Sequence, residues 1–219
     1  MTLESMGTAI GNFSFTRHTP EENAEIEAAW GRWCEEFNLQ RRREGMDNAF
    51  VPSLYREASL IDEFGKPAKD GLAKQLWDWV MAPTDGVILT GPIGAGKTWL
   101  ACAAMSAYME KWNCSGRFVT AAKYSSEVIA YGIDRYYSPR VLILDDLGKE
   151  KPSEFVTQEL FALIDHRVST KRKTIITTNY GKLDLMERLT TGEDVTTAQA
   201  IASRLKSFKA FKVEGVDKR

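Results

Sequence analysis

Val87-Ile88-Leu89-Thr90-Gly91-Pro92-Ile93-Gly94-Ala95-Gly96-Lys97-Thr98 reads as a short strand, a glycine-rich loop and the start of a helix. Gly91, Gly96, Lys97 and Thr98 fit the phosphate-loop spacing G-x-x-x-x-G-K-[ST]. Backbone N–H groups that converge on phosphate oxygens need glycine, because a side chain would block the approach. The helix that begins near Lys97 turns its positive end to the same place. Lys97 supplies a point charge to the outer phosphates, and the Thr98 hydroxyl is a ligand for Mg²⁺. The context is the one the motif requires: a β-rich apolar run before the loop, and Trp99-Leu100-Ala101-Cys102-Ala103-Ala104-Met105 as an apolar helix after it. The nucleotide-contacting stretch is therefore Gly91, Pro92, Ile93, Gly94, Ala95, Gly96, Lys97, Thr98 and Trp99, with ATP and Mg²⁺ as its cofactors.

Downstream, Val141-Leu142-Ile143-Leu144-Asp145-Asp146 places four large apolar residues in a row before two carboxylates. Such a run predicts a strand buried on both faces, as in a parallel sheet. Its C-terminal end is where open α/β sheets bind their ligands. Asp145 is assigned to Mg²⁺, through water, and Asp146 to polarising the attacking water. Further strands are predicted at 117–121, 174–179 and 208–214, the last an edge strand, and helices at 125–131, 153–168 and 196–206. Asn179 ends the fourth strand in a polar amide suited to the γ-phosphate or the attacking water, and Arg204 rides on the last helix. Residues 136–139 read as a loop. Alternating strands and helices predict a three-layer α/β sandwich with a mostly parallel five-stranded sheet.

Upstream, Thr19-Pro20-Glu21-Glu22 is a helix start, with Thr19 as N-cap and Glu22 closing a capping box. Ile26, Ala29, Trp30, Trp33, Cys34 and Phe37 follow at helical spacing on a helix of about 20 residues. Arg41-Arg42-Arg43 loads its C-terminal end, and Gly45 is the expected stop. Two readings stay open for the stripe: it packs on the main domain, or its aromatic residues dock in a partner's groove. Residues 1 to about 18 are small and polar and are expected to be mobile. A helix is predicted over 69–81, with Leu72, Leu76, Trp77 and Val80 on one face. The chain divides into a helical N-terminal, partner-binding segment (1–48) and a nucleotide-binding domain (49–219).

The 219 residues are 43% hydrophobic and carry a net charge of −1, so the overall field favours no polyanion, and nucleic-acid binding would need a local patch. Cys34, Cys102 and Cys114 show no Cys-x-x-Cys or Cys/His spacing, which predicts reduced thiols in cytoplasm and no zinc. No signal peptide is read at the N-terminus, and no apolar run is long enough for a membrane span.

Taken together and in order, Gly91–Thr98, Leu144-Asp145-Asp146-Leu147-Gly148, Thr177-Thr178-Asn179, Ser203-Arg204-Leu205 and the terminal Gly215-Val216-Asp217-Lys218-Arg219 resemble the AAA+ ATPases of the DnaC/IstB family. That family includes bacterial and phage helicase loaders and the ATP-binding helper of one transposon class. The resemblance covers about residues 50–219, with Pro52-Ser53-Leu54-Tyr55-Arg56-Glu57-Ala58 similar to the family's segment beside the adenine pocket. It implies an AAA+ P-loop fold and a set of roles. Lys97 and Thr98 are the Walker A residues, Asp145 and Asp146 the metal and catalytic Walker B residues, and Asn179 sensor 1. Arg204 is the finger that acts on ATP held by a neighbouring copy, and Arg219 stands where a second sensor arginine lies. The sequence departs from the family pattern at Ile93 and Ala95, and residues 1–48 do not resemble the zinc-bearing domain of some loaders.

The resemblance also implies single-stranded DNA as a partner, with Lys123, Tyr124, Tyr131 and Arg135 as the candidate patch. The function it implies is ATP hydrolysis in the service of loading a replicative hexameric helicase onto that DNA. The helicase would be gripped through the N-terminal helix (residues 20–43), and self-association would run through Arg204. A transposition helper with the same core, a small-molecule P-loop kinase and a non-hydrolysing adaptor are the alternatives.

Overall fold

The computed structural model describes residues 19–61, 71–83, 86–150, 153–190 and 195–215. Residues 1–18 and the second sensor candidate, Arg219, lie outside them. The elements in chain order are α1 (Pro20–Asn48), a 3₁₀ turn (Ser53–Tyr55), α2 (Gly71–Met81), β1 (Gly86–Thr90), α3 (Lys97–Trp112), β2 (Gly116–Thr120), α4 (Ala121–Tyr131), α5 (Asp134–Tyr137), β3 (Val141–Asp145), α6 (Glu154–Ser169), β4 (Lys173–Thr178), α7 (Lys182–Leu189), α8 (Val195–Leu205) and β5 (Lys209–Lys212). The chain divides into two compact units between Arg41 and Arg42. No helix among the described residues is long and apolar enough to cross a membrane.

In the larger unit the five strands form one sheet in the order β2-β3-β4-β1-β5, parallel throughout. β3 and β4 are buried along their whole length, as a central parallel strand must be with helices on both faces. Side chains alternate across the sheet. Val87, Leu89, Val141, Ile143 and Ile175 join the core shared with α2 and α3. Leu142, Leu144 and Ile176 join the core built with α4, α6, α7 and α8. The result is the three-layer α/β sandwich. β5 lies at one edge, where exposed Lys209 and Lys212 discourage further pairing.

Two buried cations tie the N-terminal ends of the strands. Arg167 is fully buried. Its Nε donates to Thr174 Oγ1 (2.8 Å), Nη1 to the carbonyls of Tyr136 (2.9 Å) and Pro139 (3.1 Å), and Nη2 to the Lys173 carbonyl (2.6 Å). Burial, and then Arg172, pull its pKa down to about 9. Lys173 Nζ donates to the carbonyls of Trp79 (3.1 Å) and Ala82 (2.8 Å), which satisfies the end of α2. Trp79 is itself fully buried, although Trp77 was the tryptophan expected inward; Trp79→Ala would cost about 3–5 kcal/mol.

α1 begins as expected: Thr19 Oγ1 accepts from the Glu22 N–H (3.2 Å) and Glu22 Oε2 accepts from the Thr19 N–H (2.7 Å). It does not stop at Gly45 but runs to Asn48. A Cβ at Gly45 would lie 3.4 Å from Met109 Cε, so the glycine serves close packing on α3. Arg41-Arg42-Arg43 therefore lies inside the helix, away from its last turn. Arg42 donates to Ser106 Oγ (2.8 Å) and the Ala58 carbonyl (2.5 Å), and Arg43 pairs with Glu57 (2.6 Å). In the smaller unit Trp30, Trp33 and Phe37 stack in sequence, with ring centroids 5.0 and 5.2 Å apart, and all three are exposed.

Three other boundaries differ from expectation. Thr120 caps α4 by accepting from the Lys123 N–H (3.2 Å), so that helix starts at Ala121. Tyr136 and Tyr137 belong to the short α5 and not to a loop. The helix α7 was not anticipated; its two buried leucines, Leu185 and Leu189, give too short a pattern.

Candidate nucleotide-binding site

β1 delivers the chain into the loop 91–96 and α3 carries it away. Gly91 (φ +150°), Gly94 (+78°) and Gly96 (+93°) all take backbone angles that favour glycine. At Gly91 the space is also tight: a Cβ would come 2.2 Å from the Val213 carbonyl oxygen. At Gly96 a Cβ would meet nothing within 4 Å, and no side chain caps α3 there. The first-turn N–H groups of α3 thus have no side-chain cap at the positive end of the helix, where an anion is favoured. Lys97 is buried, and its Nζ donates to the Gly91 (2.9 Å) and Pro92 (2.7 Å) carbonyls. Ile93 and Trp99 are exposed at the mouth, while Ala95 is buried beneath it.

The end of β3 meets this helix. Thr98 Oγ1 donates to Asp145 Oδ1 (2.9 Å), and Thr177 Oγ1 on β4 donates to the same oxygen (2.6 Å). Asp145 is buried. Burial pushes its pKa above the usual carboxylate value, the two hydroxyl donors hold it down, and Asp146 adds to the rise. Asp146 sits at φ +60°, in the left-handed region. Its N–H donates to Thr177 Oγ1 (2.8 Å), and its carboxylate pairs with Lys149 (2.8 Å). Asn179 follows β4 directly, and its Oδ1 is shut from solvent with no hydrogen-bond partner among the described residues. Glu150, which the sequence reading did not single out, has the same feature at Oε1, while its Oε2 accepts from the Gly148 N–H (2.8 Å); burial pushes its pKa up.

These groups fit a nucleotide with Mg²⁺. Thr98 and Asp145 present hard oxygen donors side by side, and Mg²⁺ is commonly held by one or two such groups with phosphates and water completing the shell. No cluster of His, Cys, Asp or Glu among the described residues could hold a metal by itself, so the ion would arrive with its nucleotide. Bound there, Mg²⁺ would neutralise charge on the phosphoryl oxygens. Thr98 and Asp145 would hold it, Lys97 would lie along the phosphates, and Asn179 Oδ1 is a buried acceptor awaiting a donor.

Arg204 is not gathered with them. Its Nε donates to Asp165 Oδ1 on α6 (2.5 Å) and its guanidinium lies 5.9 Å from the Phe161 ring. The DNA patch expected around α4 is corrected at Tyr124, which is buried with its ring 5.1 Å from that of Tyr136; it stands one helical turn from buried Val128 and faces the core with it. Lys123 (3.6 Å) and Arg135 (3.5 Å) both pair with Glu127, and only Tyr131, with Arg135 4.6 Å over its ring, remains an exposed aromatic there. A separate apolar cavity of 380 Å³ lies between β1, β5, α7 and α8, lined by Ile88, Leu185, Ile201 and Phe208; no residue of the phosphate loop borders it.

Residues 69–215 match the family model for IstB-like ATP binding proteins. A candidate ATP-binding protein of an insertion sequence in Mycobacterium tuberculosis is 32% identical over 103 residues, 43% of this chain and 41% of that protein. Another, from an insertion sequence of Pseudomonas fluorescens, is 31% identical over 154 residues, 66% of this chain and 65% of that protein. The chain thus spans less than two thirds of either relative's length. Among solved structures, the DnaC helicase loader superposes with a TM-score of 0.59 at 23% identity, covering 74% of this chain and 100% of that one. At that identity the likeness is one of fold.

Proposed function

This chain belongs to the IstB-like ATP-binding family, and from that premise we propose that it hydrolyses Mg·ATP and loads a replicative hexameric helicase onto single-stranded DNA. The observation that carries the ATPase reading is the hydroxyl–carboxylate cluster of Thr98, Asp145 and Thr177 beside the uncapped start of α3. In this reading Lys97 binds the phosphates, Thr98 and Asp145 hold the ion, Asp146 orients the attacking water and Asn179 contacts the water or the γ-phosphate. Arg204 serves the site of a neighbouring copy; its pairing with Asp165, and not with its own loop, supports that role. The stacked face of Trp30, Trp33 and Phe37 on the N-terminal segment grips the helicase. The three free cysteines suit a reducing, cytoplasmic setting.

The test is twofold. Purified protein should release inorganic phosphate from Mg·ATP, with no phosphorylated small-molecule acceptor formed. It should also retain a replicative helicase on an affinity column. The insertion-sequence relatives favour a second reading, a transposition helper with the same ATPase core; retention of a transposase in place of the helicase would select it.

A further inference from the structure

We propose that Thr177 is a positioning residue of this site, the single hydroxyl that sets the geometry of both Asp145 and Asp146. The proposal rests on the ATPase reading and extends it to a residue that touches neither nucleotide nor ion. Thr177 is fully buried in the middle layer. A threonine hydroxyl has one proton to give and lone pairs to receive. Here the proton goes to Asp145 Oδ1 (2.6 Å), and a lone pair takes the N–H of Asp146 (2.8 Å). A threonine placed only for packing would have no reason to spend both on the two carboxylate residues of the neighbouring strand.

The two bonds do different things. The first shares Asp145 Oδ1 with Thr98, so two donors on one oxygen fix the rotation of the carboxylate that would hold the ion. The second braces the backbone of Asp146 at φ +60°, a conformation uncommon in residues other than glycine, asparagine and aspartate. Adjacent bonds continue the clamp: the Leu147 N–H donates to the Thr177 carbonyl (2.9 Å), and Thr178 Oγ1 donates to the Leu147 carbonyl (2.7 Å). β4 then ends, and Asn179 follows. One strand therefore carries the clamp on the carboxylates and, two residues on, the orphaned amide oxygen.

Thr177→Val keeps the volume and removes both bonds, and Thr177→Ser keeps both. In ligand-free protein, amide hydrogen exchange should show protection of Asp146 lost in the valine variant and retained in the serine variant, with the rest of the sheet unchanged. With a fluorescent ATP analogue, affinity without Mg²⁺ should stay within about threefold of wild type. The gain in affinity on adding Mg²⁺, and kcat, should both fall about 10–100-fold, the usual effect of losing a partner behind a metal ligand, and serine should restore them. A valine variant with wild-type exchange, Mg²⁺ dependence and kcat overturns the proposal. So does a loss of protection that spreads through the sheet and is not recovered by serine. Wild-type protein that hydrolyses no ATP overturns the ATPase reading and this role with it, whereas normal wild-type turnover with an unaffected valine variant overturns this role alone.

Discussion

The Thr98 hydroxyl and Asp145 Oδ1 lie 2.9 Å apart, so the second residue of α3 and the residue that closes β3 meet at one oxygen. That oxygen belongs to a buried carboxylate whose charge burial disfavours, and this has a measurable effect on stability. The folded pKa of Asp145 lies above its ordinary value of 3.8. Between the two values the folded chain keeps a proton that the unfolded chain has released, so stability falls as pH rises through that window. Asp145→Asn removes the liability. Its melting temperature should match wild type below the ordinary value, gain on it as pH rises through the window between the ordinary and the folded value, and hold a constant lead above that window, as thermal denaturation across a pH series would show. A constant offset at every pH would contradict the assignment.

Asp146→Asn is expected to bind Mg·ATP as tightly as wild type and to hydrolyse it about a hundredfold more slowly, the scale of losing a general base. The N–H of residue 146 still reaches Thr177 in this variant, so the turn survives. Equilibrium binding together with single-turnover phosphate release separates the two effects.

Arg204→Ala should bind ATP normally and hydrolyse it poorly, because the pair it loses with Asp165 is well exposed on both sides and contributes at most about 1 kcal/mol to stability. Lys97→Ala should lose ATP binding. Mixed in one oligomer, the two inactive variants should recover part of the wild-type rate, since one interface then combines an intact phosphate loop with an intact arginine. An absence of recovery in a demonstrated mixed oligomer would leave Arg204 a structural residue.

Trp30→Ala with Trp33→Ala should leave ATP hydrolysis unchanged and weaken helicase capture by at least about a hundredfold, as removing two central aromatic anchors does. Surface-immobilised helicase titrated with the variant reads this directly. Capture at wild-type affinity would remove the aromatic face from the interface.

What the sequence reveals of this molecule is what depends on neighbours in the chain. Lys97 and Thr98 follow their glycines directly, Asp145 ends its own apolar run, and strand and helix alternate with periods that can be read residue by residue. Hidden are the residues whose partners lie far along the chain. Arg42 reads as a helix-end charge until Ser106, 64 positions away, supplies its acceptor. Lys173 carries no local signal for its acceptor, the Trp79 carbonyl 94 positions away. Gly45 reads as a stop signal because nothing local announces Met109. Tyr124 looks like a base-stacking platform beside Lys123, and only the packing of α4 against Tyr136 shows that it faces inward. Thr120 is different: a threonine before a run of helix formers is a cap signal in its own right, but the apolar run 117–121 draws it into the strand and moves the expected start of α4 from Ala121 to residue 125.

Arg167 and Lys173 give the sheet a mechanical polarity. Their bonds fasten the start of β4 to the approach to β3 and to the end of α2, which leads into β1. All the chemistry sits at the opposite ends of the same strands. The strands are rooted by buried cations at one side and laced by hydroxyls at the other. A substitution at Thr98 or Asp146 therefore disturbs bonds at one side of the sheet only, while Arg167 and Lys173 keep their partners at the other.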